Sequence, residues 1–323
     1  MQSAMEQHTF GKTGWPIGRI GLGCWQFGGA ITLDGRPDGW TGISDDESIA
    51  TIRRAIELGV NFFDTADMYG WGRSEQLVGK TLQPHRDRVF VATKVGFWHD
   101  EQNRRTLNES KEYILAACDA SLRRLQTDHI DLYQCHLWRT ERWTEFLDAF
   151  ETLQQQGKIR SYGVSTNDFD MVQRFNERNR LTSVQSTYNL LDRHVEKEIL
   201  PYCEAHGIAF IARGPLATGK LSGRLSKDHK FDADDIRDKW LTGERRKKFE
   251  RDIDTVERLK PVAQEIGCRM AELALRFVLT HPTVSTTIPG AKNRSQLERN
   301  VAAGKRPVLT GEELKEIERV LTS

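Results

Sequence analysis

The sequence has few cysteines, and none of them forms a motif. Cys24, Cys118, Cys135, Cys203 and Cys268 are odd in number and widely spaced, with no CxxC pair. That argues against a zinc knuckle or a dithiol redox centre and favours free thiols in a reducing cytoplasm. No apolar run approaches the ~18 residues of a membrane span. The opening Met1–His8 stretch lacks a basic region followed by an apolar core, so no secretory leader is expected. Charge of one sign is also missing: 47 basic against 46 acidic residues leave +1. With no basic tail or acidic block, the chain is expected to bind neither nucleic acid nor membrane. Low-complexity linkers are absent too, and residues 1–323 read as a single domain.

What is present is alternation. Eight short β-rich runs occur at Ile20–Leu22, Asn61–Asp64, Val89–Thr93, Ile130–Cys135, Ile159–Ser165, Ser183–Gln185, Ile208–Ala212 and Val284–Ile288. Amphipathic stretches lie between most of them. Asp45–Leu58 has Ser44 or Asp45 as a cap, an apolar stripe of Ile49, Ile52, Ala55 and Ile56, and Gly59 beyond its end. Glu109–Leu125 and Trp143–Gln156 read the same way. Repeated strand–helix units imply parallel strands, and eight of them predict an α/β fold, a closed (β/α)8 TIM barrel. Three segments exceed the ~250 residues typical of such a barrel. Phe10–Ile17 predicts an N-terminal β-hairpin with Lys12-Thr-Gly14 at its turn. Lys220–Trp240 predicts a long loop, and Glu312–Leu321 a terminal helix. The polar stretch Gly29–Gly42 is expected to fold over the barrel mouth as a lid.

Barrel enzymes place their chemistry where strands end and βα loops begin. Asp64 ends Asn61-Phe-Phe-Asp, Lys94 ends Val89-Phe-Val-Ala-Thr-Lys, and His136 follows Asp131-Leu-Tyr-Gln-Cys. Tyr69 lies in the next loop, Thr65-Ala-Asp-Met-Tyr-Gly. Taken singly, a Lys at a strand end is usually solvated, a His a structural hydrogen-bonder and a loop Tyr a packing residue. Strand ends two, three and four are neighbours around a barrel, so these four can meet. Together they can serve hydride addition to a carbonyl, which leaves an alkoxide in need of a proton. Tyr69 can donate it, and Lys94 is expected to lower the phenol's pKa. Asp64 pairs with Lys94, and His136 orients the carbonyl oxygen. Trp25, Trp71, Phe97, Trp98 and Trp138 all fall in predicted βα loops and would line an aromatic cleft for apolar aldehydes or sugar faces.

Asn61-Phe-Phe-Asp-Thr-Ala-Asp-Met-Tyr-Gly, Gly72-Arg-Ser-Glu, Thr93-Lys94 and Asp131-Leu-Tyr-Gln-Cys-His136 resemble the signature of the aldo-keto reductases over nearly the whole chain. The resemblance implies a catalytic set of Asp64, Tyr69, Lys94 and His136, and a bound nicotinamide coenzyme. It places Gly23, Cys24 and Trp25 near the nicotinamide, with Ser165, Thr166 and Gln185 on its amide. Arg213 stands where many relatives carry an aromatic residue. Gly214, Leu216 and Lys220 are expected along the pyrophosphate. Gly290, Lys292, Gln296 and Asn300 are expected at the adenosine end, where Lys292 would meet the ribose 2′-phosphate, favouring NADP(H) over NAD(H). The substrate pocket is expected from Trp25, Tyr69, Trp71, Phe97, His136 and Trp138. Gly21-Leu-Gly23-Cys-Trp-Gln26 starts like a dinucleotide fingerprint and fails at Gln26, so a Rossmann site is not expected.

Two other functions remain open at this level. One is a non-enzymatic regulatory subunit that keeps the fold and the coenzyme. The other is a metal-dependent barrel hydrolase on Asp64, Asp67, Lys94 and His136, which the lack of an HxH pair disfavours. Expected partners are a small carbonyl compound or sugar, with a monomer as the assembly.

Overall fold

The computed structural model of the chain describes residues 5–322. The leader reading rests partly on residues 1–4 and so lies outside them. The strands in chain order are β1 (Gln7–Thr9), β2 (Pro16–Gly18), β3 (Leu22–Gly23), β4 (Ala30–Leu33), β5 (Arg36–Gly39), β6 (Phe62–Asp64) and β7 (Phe90–Val95). They continue with β8 (Phe97–His99), β9 (Arg105–Leu107), β10 (Ile130–Cys135), β11 (Ile159–Ser165), β12 (Ser183–Thr187), β13 (Ala209–Arg213) and β14 (Val284–Thr287). The helices are α1 (Asp45–Glu57), α2 (Arg73–Leu82), α3 (Lys111–Leu125), α4 (Trp143–Gln155), α5 (Phe169–Phe175), α6 (Ile199–His206), α7 (Gly243–Glu265), α8 (Met270–Thr280), α9 (Arg294–Gly304) and α10 (Gly311–Thr322).

Eight parallel strands run in the order β3-β6-β7-β10-β11-β12-β13-β14. Parallel bridges Ile20↔Thr287 and Gly23↔Gly290 join the first strand to the last and close the (β/α)8 barrel. The predicted strands appear to within two residues at their ends, and Ile130–Cys135 and Ile159–Ser165 match outright. The helix capped by Ser44 forms because its side-chain oxygen accepts the Glu47 N–H, satisfying an orphan donor of the first turn.

Two hydrophobic layers follow from strand alternation. One set of strand residues packs outward on the helices, as Tyr133 and Tyr162 do against Phe150 of α4. The other fills the barrel: Phe62, Ala92, Leu132, Ala209, Ile211 and Ile288, together with Phe10 and Ile17. Phe10 and Ile17 belong to the N-terminal hairpin, which therefore plugs the end of the barrel opposite the active-site mouth. Its paired residues are Gln7–Thr9 and Pro16–Gly18. The sequence reading had placed the hairpin on Phe10–Ile17, which is its turn region and start of return strand.

Two further hairpins rise at the mouth. Within Gly29–Gly42, β4 and β5 pair antiparallel as a hairpin. β8 and β9 form a second hairpin that the sequence reading did not foresee. Their tips are tied together, Asp34 N donating to Asn103 O at 3.0 Å and Arg105 N to Asp34 Oδ1 at 2.7 Å. Among the described residues no helix is long and apolar enough to cross a membrane.

Candidate active site

The strand register explains why the polar residues meet. Gly23 pairs with Asp64, Gln134 with Lys94, and Ser165 with Gln185, so each side chain enters at the C-terminal end of the barrel. Lys94 is fully buried. Its ammonium donates to Asp64 Oδ1 at 2.6 Å, to the Thr65 carbonyl at 2.7 Å and to Tyr69 Oη at 3.3 Å. These three acceptors match the three donors of an ammonium. The other carboxylate oxygen of Asp64 accepts from Gln185 Nε2 at 2.7 Å and Gln134 Nε2 at 3.2 Å. A buried ion pair is stable only when its remaining lone pairs are satisfied, and the two amides do this. Sequence reading does not single out Gln134, although it lies two residues before His136 in the same strand and must face the same side.

The electrostatics sort the groups into roles. Asp64 and Tyr69 outweigh the cost of burial and raise the Lys94 ammonium above its ordinary value, so it stays charged. Burial pushes the Tyr69 phenol up, and Lys94 offsets this only in part. This corrects the expectation that Lys94 would bring the phenol below its ordinary value: burial is the larger effect. Burial, followed by the charges of Lys94, Arg213 and Arg105, holds His136 well below the usual imidazole range, so its ring is neutral. The Tyr69 and His136 rings meet edge to face with centroids 5.8 Å apart.

Aromatic residues wall the mouth. Trp25 stacks on Tyr69 at 6.1 Å and meets Trp40 edge-on at 5.7 Å. Phe97 contacts both His136 and Trp138. Trp138 is 66% exposed, leaving its ring open to solvent at the rim. Trp71 stands further out, against His99 and Trp98. Cys24 is adjacent through its backbone, which donates to Asp64 O, but its thiol is buried and donates to Leu22 O.

Further polar residues continue from this mouth. Ser165 Oγ lies 3.4 Å from Gln185 Oε1. Thr166 uses its hydroxyl internally, donating to Trp138 O and accepting from Asp168 N. Asn167 accepts from Ser186, from Thr187 N and from Arg213 at 3.0 Å. Arg213 Nε is buried without a partner. Beyond it, Gly214, Ala217, Thr218 and Gly219 all have positive φ, of 63°, 46°, 56° and 100°. Two non-glycine residues held this way store strain of about 1–3 kcal/mol each, a feature that clusters at ligand clamps. A Cβ on Gly214 would meet only open space. Lys220 instead turns to Asp252 on α7 at 2.5 Å.

At the far end, Lys292 donates to Thr41 O at 3.2 Å and lies 5.1 Å from the Trp40 ring, whose neighbour Arg237 is 4.8 Å from it. Burial, with Arg237 next, lowers the Lys292 ammonium. Gln296 accepts from Lys292 N at 2.8 Å and Asn300 donates to Gly290 O at 3.4 Å, so both brace this loop. Gly290 packs on Gln26, whose Oε1 would lie 2.9 Å from an added Cβ.

A closed parallel barrel carrying an ion-paired Lys, a Tyr and a neutral His at one mouth defines an oxidoreductase of the barrel class. The chain belongs to the aldo/keto reductase family, whose model matches residues 19–322. It is 34% identical over 300 residues to aldo-keto reductase YhdN of Bacillus subtilis, covering 91% of this chain and 87% of that protein. It is 32% identical to the NADH-specific methylglyoxal reductase of Escherichia coli, covering 93% of each. Among solved structures, the glycerol dehydrogenase of Gluconobacter oxydans superposes with a TM-score of 0.83 at 31% identity, over 98% of this chain and 94% of that one. An aldo-keto reductase from Klebsiella pneumoniae in complex with NADPH gives 0.73 at 29% identity, over 98% and 95%.

Proposed function

We propose that this chain, acting as a single barrel domain and a monomer in the cytoplasm, reduces an aldehyde or ketone with NADPH, Tyr69 supplying the proton. The observation that carries the reading is the buried chain Asp64–Lys94–Tyr69, with a neutral His136 beside it. The coenzyme supplies a hydride. Tyr69, still protonated at neutral pH, donates its proton to the oxygen that becomes the alcohol. Lys94 stabilises the phenolate left behind, and Asp64 keeps Lys94 in place. One N–H of neutral His136 orients the carbonyl oxygen. In the oxidative direction the same groups act in reverse.

The residues present fit a nicotinamide dinucleotide phosphate. Ser165, Gln185 and Asn167 would take the amide, and Arg213 would lie against the nicotinamide or a phosphate. The turn from Gly214 through Leu216 to Gly219, left-handed at Gly214 and from Ala217 to Gly219 and open at Gly214, would take a pyrophosphate. Lys292, crowded by Arg237 and bonded to a carbonyl rather than a carboxylate, would gain a strong partner in a 2′-phosphate. One relative bears the name of an NADH-specific enzyme, so the test compares both coenzymes. The purified protein is mixed with NADPH or NADH, and absorbance at the reduced-nicotinamide band is followed while 4-nitrobenzaldehyde is added. Aldehyde-dependent oxidation, faster with NADPH, is expected. Coenzyme binding without oxidation of any carbonyl would favour a regulatory subunit instead.

A further inference from the structure

The mouth holds an arginine whose only part in the catalytic reading is its charge acting on His136. Arg105 lies on β9, opposite His99 in the β8–β9 register. Alternation puts it on the same face as Phe97, and its guanidinium carbon stands 4.9 Å from the Phe97 ring centroid. That ring meets His136 edge-on at 5.8 Å. Arg105 is therefore separated from His136 by the width of one aromatic ring. Its backbone is fixed by the bond to Asp34.

Its side chain is poorly matched to its surroundings. The nearest carboxylate contacts, to Asp34 and Asp38, are 3.9 and 3.8 Å, too long for hydrogen bonds. Arg105 Nε is buried and has no partner. A guanidinium N–H that is desolvated and unpaired is costly, and an arriving oxyanion relieves that cost. Lys239 lies near Arg105, and Arg245, Arg36 and Asp38 act on the same ammonium. Burial and those arginines together depress the Lys239 ammonium, while Asp38 opposes them. Arg105 itself also acts on the imidazole of His136.

We propose that the substrate is a carbonyl compound bearing a carboxylate. Arg105 binds the carboxylate beside Phe97 while the carbonyl lies between Tyr69 and His136. The two groups would then be joined by a rigid spacer on the scale of the Phe97 ring, which contacts both Arg105 and His136. Arg105 is then a specificity-determining residue. This rests on the reductase reading above.

The test uses the full chain with NADPH and two aldehydes of similar reactivity, 4-carboxybenzaldehyde and its neutral methyl ester. Wild type is expected to favour the acid by about 10–100-fold in kcat/KM, mainly through KM, the range of one charge-assisted contact. The preference should shrink as salt is raised. Arg105→Gln should bring the ratio near 1, chiefly by raising the acid's KM. Arg105→Lys should retain part of the preference. A wild-type ratio at or below 1, or a ratio that Arg105→Gln leaves intact, overturns the proposal. If neither aldehyde nor any other carbonyl is turned over, the reductase reading fails and takes this inference with it. Turnover of both aldehydes with no discrimination overturns this inference alone.

Discussion

Lys94→Met should unfold the barrel more easily, and a second substitution should partly repair it. Lys94 is wholly buried and gives its three donors to Asp64, Thr65 O and Tyr69. Removing the ammonium leaves the Asp64 carboxylate buried with only two neutral amides as partners. Breaking a buried ion pair from one side costs about 3–5 kcal/mol. For a chain of 323 residues that lowers Tm by about 4–7 °C. Most of that cost comes from the stranded anion rather than from lost attraction. Asp64→Asn/Lys94→Met should therefore recover at least about 2 kcal/mol relative to the additive sum of the single variants. Urea melts of the four proteins measure this coupling, and turnover should be lost in every variant lacking Lys94. A Lys94→Met protein as stable as wild type, or an additive double variant, would refute the reasoning that Lys94 is charged and held by Asp64.

Three other outcomes follow from the same geometry. Lys292→Met should weaken NADPH binding by about 10-fold or more, the scale of one charge-assisted contact, and leave NADH binding nearly unchanged, as read by coenzyme fluorescence. The reduction rate should show no inflection near pH 6.5, because burial keeps His136 neutral to a lower pH. It should fall on the alkaline side only above pH 10, once the raised Tyr69 phenol ionises. Asp67→Asn should raise Tm at pH 8 more than at pH 5. Burial and then Glu75 raise the Asp67 carboxyl well above its ordinary value. The stability of its protonated form is present below the unfolded pKa and lost as pH rises through the folded one.

The barrel was legible because eight β-rich runs alternated with amphipathic stretches, with Ser44 and Gly59 bracketing the first helix and polar residues at several strand ends. The same pattern located Asp64, Lys94 and His136. Gln134 was legible in principle, since period two puts Leu132, Gln134 and His136 on one side. The β8–β9 hairpin had a weaker signal, Phe97-Trp-His99 and Arg105-Thr-Leu107 around the turn residues Asp100–Asn103. The direction of the Tyr69 shift was not legible, because burial competes with a charge 3.3 Å away and only the packed structure shows which wins. Lys220 matched its motif, yet the carboxylate it reaches lies on α7, 32 residues along the chain.

The central claim is that Tyr69 gives the proton. Single-turnover oxidation of bound NADPH by 4-nitrobenzaldehyde, compared between wild type and Tyr69→Phe, tests it directly. Loss of the phenol hydroxyl should slow the step by about 10²–10⁴-fold, with NADPH affinity nearly unchanged. A Tyr69→Phe protein that oxidises NADPH at the wild-type rate would contradict the account.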